Sequence, residues 1–165
     1  MFAYYNGPIA SFISDSLETE GILIKCVIAE VSEALVNDLK TAGIAIDATY
    51  KHTIDNSAVR HVMKSHGSES EALRGQLPIT IEDFKVIRKI VEGYDTIKTE
   101  KNRRMQDVII YTKKMVDGIT YYVEEIRSGR HELAASTIYK KKKENSPTQM
   151  EWTTQISDLS PFVQS

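Results

Sequence analysis

The chain has 165 residues, 41% of them hydrophobic, and one cysteine, which supports one core and a single α+β domain and excludes an internal disulfide. No apolar run approaches the ~20 residues of a membrane span, and the N-terminus lacks the features of a signal peptide. The net charge of −2 divides into −6 over residues 1–84, +7 over 85–143 and −3 over 144–165. The basic block favours a polyanionic partner such as nucleic acid.

The first part of the chain predicts two helices and a strand. A short helix is predicted over Ile9 to Leu17, and the apolar run of residues 21–28 indicates a strand, in which Cys26 is a small buried hydrophobe. Apolar residues spaced i, i+4, i+8 and i+11 predict an amphipathic helix over about Val31 to Ala42. Residues 44–54 are interpreted as a connector.

The segment Asp55 to Gly67 places two histidines and two cations on one short predicted helix. The Asp-Asn pair at its start can cap it, and its final glycine is expected to end it in the left-handed conformation. His66 falls within the apolar arc, whereas His61 lies roughly 140° away on the polar flank. A helical metal pair needs i, i+4 spacing and these histidines are i, i+5, so we predict no metal.

A well-specified helix start follows at Thr80. Asp83 completes a capping box with Thr80, and Ile79 and Phe84 occupy the positions of a hydrophobic staple. The helix is expected to continue to Gly93.

From residue 95 onward the apolar period changes to two, which indicates strands. Strands are predicted over residues 106–114, 119–127 and 130–140, joined by Asp-Gly and Ser-Gly dipeptides typical of tight hairpins, and residues 96–98 add a short first strand. Four alternate side chains of the last strand are expected to lie on the same face of the sheet: Leu133, Ala135, Thr137 and Tyr139. Residues 1–143 then form one domain, and residues 144–165 a polar tail.

Several segments together suggest a family. The run IDNSAVRH at residues 54–61, with HG at 66–67, G-Q-x-P-I-T at 75–80, VEE at 123–125 and TIYK at 137–140, resembles the phage-associated branch of the barnase/EndoU/colicin/RelE-like (BECR) nucleases. Such domains occur in phage head-morphogenesis proteins and in polymorphic or contact-dependent toxins. The resemblance covers about residues 27–140. It implies N-terminal helices packed on a four-stranded antiparallel sheet, and cleavage of RNA without metal or cofactor.

In that chemistry a general base takes the proton of a ribose 2′-hydroxyl, and a general acid protonates the leaving 5′-oxygen. Histidine suits both roles because its ordinary pKa is about 6.5. The resemblance assigns proton transfer to His61 and His66, phosphate contacts to Arg60 and Lys113, site hydroxyls to Thr137 and Tyr139, and backbone contacts to Arg127 and Lys140. Each side chain also has an ordinary structural interpretation; His66, for example, is equally well explained as a core residue.

Other expectations follow from the resemblance. RNA is the expected substrate, with transfer RNA as one candidate, and an inhibitor or immunity protein is the expected partner. The protein is expected to be soluble and to act in the cytoplasm of a host or target cell, with delivery by a phage or a secretion system as one route. The alternatives are a non-catalytic RNA- or protein-binding phage-structural module of the same fold, and an enzyme that processes a nucleotide or cofactor.

Two local features bear on the site. Residues 99–106 are charged where the family would have a tight glycine-containing turn, and we expect them to lie away from the site. Glu124 and Glu125 must point to opposite faces of their strand, and the sequence does not decide which one faces the substrate.

Overall fold

The fold is α+β, as the sequence predicts. The computed structural model describes residues 2–5, 7–17, 23–67 and 76–142, and the predicted tail of residues 144–165 lies outside these ranges. In chain order the elements are β1 (Phe2–Tyr4), α1 (Ile9–Ser16), β2 (Leu23–Glu30), α2 (Glu33–Thr41), β3 (Lys51–Asp55), α3 (Asn56–His66), β4 (Gln76–Leu77), α4 (Ile81–Lys85), α5 (Ile87–Glu92), β5 (Thr96–Lys101), β6 (Asp107–Lys114), β7 (Gly118–Arg127) and β8 (Glu132–Lys142).

One mixed, mostly antiparallel sheet forms the centre of the molecule. Its strand order is β1-β2-β3-β8-β7-β6-β5, with β4 paired to the edge of β8 that also carries β3. The predicted meander is present as β5 to β8, but the expected total of four strands is wrong. The sheet continues because β3 joins β8 in parallel and β2 joins β3 in antiparallel pairing.

Strand β3 was not predicted, because its sequence, KHTID, lacks the alternation of apolar and polar residues that marks a strand. Its buried positions include His52 and Thr53, whose polar side chains conceal the pattern. The strand matters for the site, because α3 begins where β3 ends.

The helix starts follow the predicted capping chemistry. Asp55 caps α3 by accepting from the backbone N–H of Ala58 at 2.7 Å, and Thr80 and Asp83 form the predicted capping box. Two details differ from the prediction: Gly67 has a φ of −93° and is not left-handed, and the helix that starts at Thr80 is interrupted at Val86.

The two faces of β6, β7 and β8 have different surroundings. The inner face, which carries Ile109, Tyr111, Tyr122, Leu133 and Ile138, is buried in one cluster with apolar side chains of the helices. On the outer face, Tyr121, Val123, Thr137 and Tyr139 are half-buried. No helix in the described ranges is long and apolar enough to cross a membrane.

A β-bulge in β8 breaks the predicted alternation. Thr137 pairs with Val123 but Ala135 pairs with Glu124, which leaves Ser136 as an extra residue on β8. Ala135 therefore falls on the inner face and Thr137 on the outer one, so the predicted shared face of the last strand is wrong. Sequence alternation alone does not signal a bulge.

Candidate active site

A cleft of about 260 Å³, here the His61 cleft, opens between α3 and the outer face of the sheet. Its walls come from the start of α3, the 102–106 loop, β7 and the bulge of β8. The lining residues are Asp55, Ser57, Ala58, His61, Arg104, Glu125, Arg127, Ala135 and Ser136. The extra residue created by the bulge thus lies in the cleft wall.

Helix α3 fixes the position of His61. Val59 and Val62 bury one side of the helix in the core, while His61 lies on the opposite side and is exposed. The helix is held at its start by Asp55 and by Asn56, whose side-chain oxygen accepts from the backbone N–H of Ile24 at 3.0 Å. The imidazole is therefore presented to solvent from a rigid element.

The lining of the His61 cleft has two carboxylates, Asp55, which caps α3, and Glu125, to which three groups donate. Arg127 Nε lies 3.0 Å from Oε1, and Arg104 and Asn102 lie 3.2 Å from Oε2. The side chain is only 8% exposed, so these donors compensate for its burial. An imidazole, two carboxylates and two guanidinium groups therefore line one cleft.

The charged 99–106 segment does not lie away from the site, as the sequence had led us to expect. Asn102 organises the turn without a glycine by accepting from the backbone N–H groups of Arg104 and Gln106 at 2.9 and 3.0 Å. Met105 takes the left-handed conformation, with φ of 62°. The turn thereby places Arg104 beside Glu125.

His66 lies elsewhere, in a row of rings on the outer face. Its ring centroid is 5.7 Å from that of Tyr139, which stacks on Tyr121 at 5.0 Å. The Lys141 ammonium lies 5.1 Å from the centre of the Tyr121 ring. Burial raises the pKa of the Tyr139 hydroxyl above its ordinary value. Beside this row, Thr137 Oγ1 is buried and has no hydrogen-bond partner in the described part of the chain.

The remaining predicted site cations have partners away from the His61 cleft. Arg60 donates to the carbonyl of Ser16 at 3.1 Å and so ties α3 to the end of α1. Lys113 donates to the carbonyl of Gly93 at 2.6 Å. Lys140 is buried between Asp83 and Asp117, at 3.1 Å from each carboxylate. Of the predicted set, the cleft brings together only His61 and Arg127.

A histidine–carboxylate pair is buried under the inner face of the sheet, away from the His61 cleft. His52 Nδ1 lies 2.7 Å from Glu124 Oε2, and the hydroxyls of Tyr111 and Tyr122 donate to the same carboxylate at 2.6 and 3.0 Å. Burial, with the neighbouring charge of Glu124 as the second cause, raises the pKa of both tyrosines well above the ordinary value. Within the described ranges no group of three or more His, Cys, Asp or Glu side chains could hold a metal ion.

The family follows from a direct match. Residues 29–146 match the family described as phage-Barnase-EndoU-ColicinE5/D-RelE like nuclease3, and the chain belongs to that family. It is a BECR-like nuclease domain, and the family implies a nucleic-acid substrate. This family match confirms the resemblance inferred from the sequence. No curated protein and no solved structure matches the chain.

Proposed function

We propose that the protein is a metal-independent endoribonuclease that cleaves RNA by attack of a ribose 2′-hydroxyl on the neighbouring phosphorus. The observation that carries this proposal is that His61 and Glu125 line one open cleft together with Arg104 and Arg127. Transesterification needs two proton-transfer groups and positive charge near the phosphate, and these four side chains supply both.

The proton transfers are divided between two side chains. The base takes the proton of the 2′-hydroxyl as that oxygen bonds to phosphorus, and the acid gives a proton to the 5′-oxygen as its bond to phosphorus breaks. A 2′,3′-cyclic phosphate and a free 5′-hydroxyl result. We assign one role to His61 and the other to Glu125, because an ionised carboxylate can accept a proton and both groups border the same space.

His66 is the competing partner for His61. It lies five residues, or about 1.4 turns, further along α3, beside Tyr139, and is not among the residues that line the His61 cleft. Substrate that extends from the cleft along β8 would reach it. His66→Ala therefore separates the two assignments: a loss of activity as large as that of Glu125→Gln would favour the histidine pair.

Arg127 and Arg104 are the proposed phosphate contacts. Both donate to Glu125 in the free protein, and a guanidinium group has further donors to offer to non-bridging phosphate oxygens. Arg127 is the less exposed of the two and is the proposed contact to the reacting phosphate, where one well-aimed donor contributes about 10²–10³-fold to the rate. Arg104 lies at the rim of the cleft and is expected to add mainly to affinity. Arg127, which the sequence analysis assigned to the substrate backbone, is thus proposed to contact the phosphate that reacts.

The decisive experiment uses purified protein and a defined RNA oligonucleotide in the presence of a chelator. We expect cleavage that leaves a cyclic phosphate, and no cleavage at a position where a single 2′-deoxyribose replaces ribose. Cleavage that persists at the deoxy position would refute transesterification. Binding of intact RNA without any cleavage would favour the non-catalytic phage-structural module.

An inhibitor or immunity protein, and action within the cytoplasm of a host or target cell, also belong to this proposal. A nuclease that cleaves cellular RNA harms the cell that makes it unless its cleft is covered. We expect the wild-type gene to be poorly tolerated in a bacterial host and the His61→Ala gene to be well tolerated. Equal tolerance of both genes would argue against a toxin role. Sequencing RNA ends from the affected cells would show whether transfer RNA is the target.

A further inference from the structure

A second cavity lies on the outer face, at the start of β3 and β8. It measures about 160 Å³ and is here called the His131 cavity. Its walls include Thr49, Lys51, Thr53, Arg130, His131 and Glu132. None of these residues belongs to the His61 cleft or to the predicted site.

His131 is held in place unusually firmly for an exposed side chain. Its backbone is left-handed, with φ of 54°, a conformation that residues other than glycine seldom adopt. Its ring stacks on that of the buried Tyr50 at 4.9 Å with 9° between the planes, and Nδ1 hydrogen-bonds the hydroxyl of Thr49. These contacts fix the orientation of the imidazole.

A hydrogen-bond chain sets the tautomer of His131. The Thr49 hydroxyl donates to the Asp47 carboxylate, so its oxygen accepts from His131, and Nδ1 carries the proton. The hydrogen bond from the Thr49 side chain is the main reason why the pKa of Asp47 is lowered. His131 Nε2 has no partner in the described part of the chain, so it is the ring nitrogen available to a ligand.

Two further donors of the cavity lack a protein partner within the described ranges. Thr53 Oγ1 is buried and makes no hydrogen bond there, and a buried unsatisfied hydroxyl is costly. The ammonium of Lys51 forms no ion pair with the described residues. This sets Lys51 apart from Lys25 and Lys140, both of which are paired with carboxylates.

The carboxylate of the cavity is already neutralised. Both oxygens of Glu132 accept from Lys25, at 2.7 and 2.9 Å, and both side chains are buried. Glu132 therefore adds little repulsion to an arriving anion, and Lys51 and Arg130 contribute positive charge. An anion with several acceptor oxygens suits the remaining donors.

The His131 cavity is a neighbour of the His61 cleft. In the sheet register, Thr53 pairs with Ala134 and Ala134 with Glu125, so the three residues form one row on the outer face. Lys51, Glu132 and Arg127 form the next row. The β3 residue and the β7 residue at the two ends of each row are two strand spacings apart, a distance of about 10 Å. A strand held in the cleft can therefore reach the cavity.

We propose that the His131 cavity is a subsite for a phosphate of the substrate strand, one that flanks the phosphate being cleaved. Lys51, Thr53 and His131 Nε2 are its donors. The role of the cavity as a substrate subsite rests on the proposed nuclease function. Its ability to bind a phosphate does not, because a phosphate would bind there whether or not cleavage occurs.

The test compares a dinucleotide, which has only the scissile phosphate, with a decanucleotide. We expect Lys51→Ala, Thr53→Val and His131→Gly each to raise KM for the decanucleotide, by about tenfold for the lysine, with kcat kept and with a much smaller effect on the dinucleotide. Glycine suits the left-handed backbone at position 131, and valine preserves the shape of threonine, so both variants should fold. Lys64→Ala, an exposed lysine on α3, is the matched control.

A binding measurement separates this inference from the nuclease assignment. A fluorescent all-deoxy decanucleotide lacks the attacking hydroxyl, and its affinity is measured by anisotropy at several salt concentrations. We expect Lys51→Ala to weaken binding and to lower the salt slope by about 0.7. If wild type cleaves no RNA while the variants lose this binding, the nuclease proposal fails and the subsite stands. If RNA is cleaved and the variants bind like Lys64→Ala, the subsite is wrong.

Discussion

Glu124 and Glu125 are neighbours in β7, and several groups donate to each carboxylate, yet their surroundings differ completely. Glu124 lies in the core with His52 and two tyrosine hydroxyls, and none of its surface is exposed. Glu125 opens into the His61 cleft between two arginines. The strand alternation sends one carboxylate inward and the other outward.

The comparison shows that a histidine beside a carboxylate does not define an active site. The side chains of the inner group hydrogen-bond to one another inside the core, and no cleft connects them to solvent. The inner group therefore contributes to stability and to the uniqueness of the fold. The outer group offers an imidazole and guanidinium donors to solvent. Variants on the two sides should therefore affect different measurements.

The largest expected effect is that of His61→Ala on catalysis. Loss of one proton-transfer group should lower kcat by about 10²–10⁴-fold, while the free energy of unfolding changes little because the side chain is exposed. Lys64→Ala controls for general effects on α3. Full activity of His61→Ala on a defined RNA oligonucleotide would remove the outer group from the mechanism.

Glu124→Ala should have the opposite profile. It leaves His52 and two tyrosine hydroxyls without their acceptor in the core, and breaking a buried pair costs about 3–5 kcal/mol. Urea denaturation of Glu124→Ala and of Glu125→Gln measures the difference directly. We expect Glu125→Gln to remain folded and to lose cleavage. Equal stability of the two variants would mean that the inner network contributes nothing to folding.

The sequence predicted α3, the capping box and the meander well, because their signals are local. His61 could be placed on the polar side of its helix by periodicity alone. The orientation of Glu125 could not be derived in this way, because it depends on which face of β7 the helices cover. The presence of Arg104 in the cleft was not predicted, because the sequence of a long charged turn does not indicate which part of the protein the turn packs against.

Sequence periodicity could not predict strand β3 or the bulge at Ser136, for a related reason. A strand whose buried positions hold His52 and Thr53 has no hydrophobic period, and its pairing with β8 is set by tertiary contacts. Without β3 in the sheet, neither the inner histidine nor the His131 cavity can be anticipated. Both depend on the register between β3 and β8.

The inner network also makes stability sensitive to alkaline pH. Tyr111 and Tyr122 have pKa values raised by burial, whereas in the unfolded chain a tyrosine ionises near pH 10. Above that pH the unfolded state binds fewer protons than the folded state, so the free energy of unfolding falls as the pH rises. The contribution is fully present below about pH 10 and is then lost, by up to about 1.4 kcal/mol per pH unit for each tyrosine.

Urea denaturation between pH 8 and pH 11 measures this slope. The variant Tyr111→Phe removes one of the two titrating groups, so we expect it to have a shallower decline of stability above pH 10 as well as a lower stability at pH 8. A decline as steep as that of the wild type would show that Tyr111 ionises normally in the folded state.

The smallest expected effect is that of Arg104→Ala, at the rim of the His61 cleft. Its side chain is 75% exposed and its ion pair with Glu125 is 3.2 Å long, so the loss in stability should stay below about 1 kcal/mol. Arg127, at 34% exposure, is held more closely against the same carboxylate. We therefore expect a rise in KM of a few fold for Arg104→Ala and a larger loss of kcat for Arg127→Ala. If Arg104→Ala lowered kcat as much as Arg127→Ala, the exposed turn would be closing over the substrate, and the reacting phosphate would lie nearer the rim than the free cleft indicates.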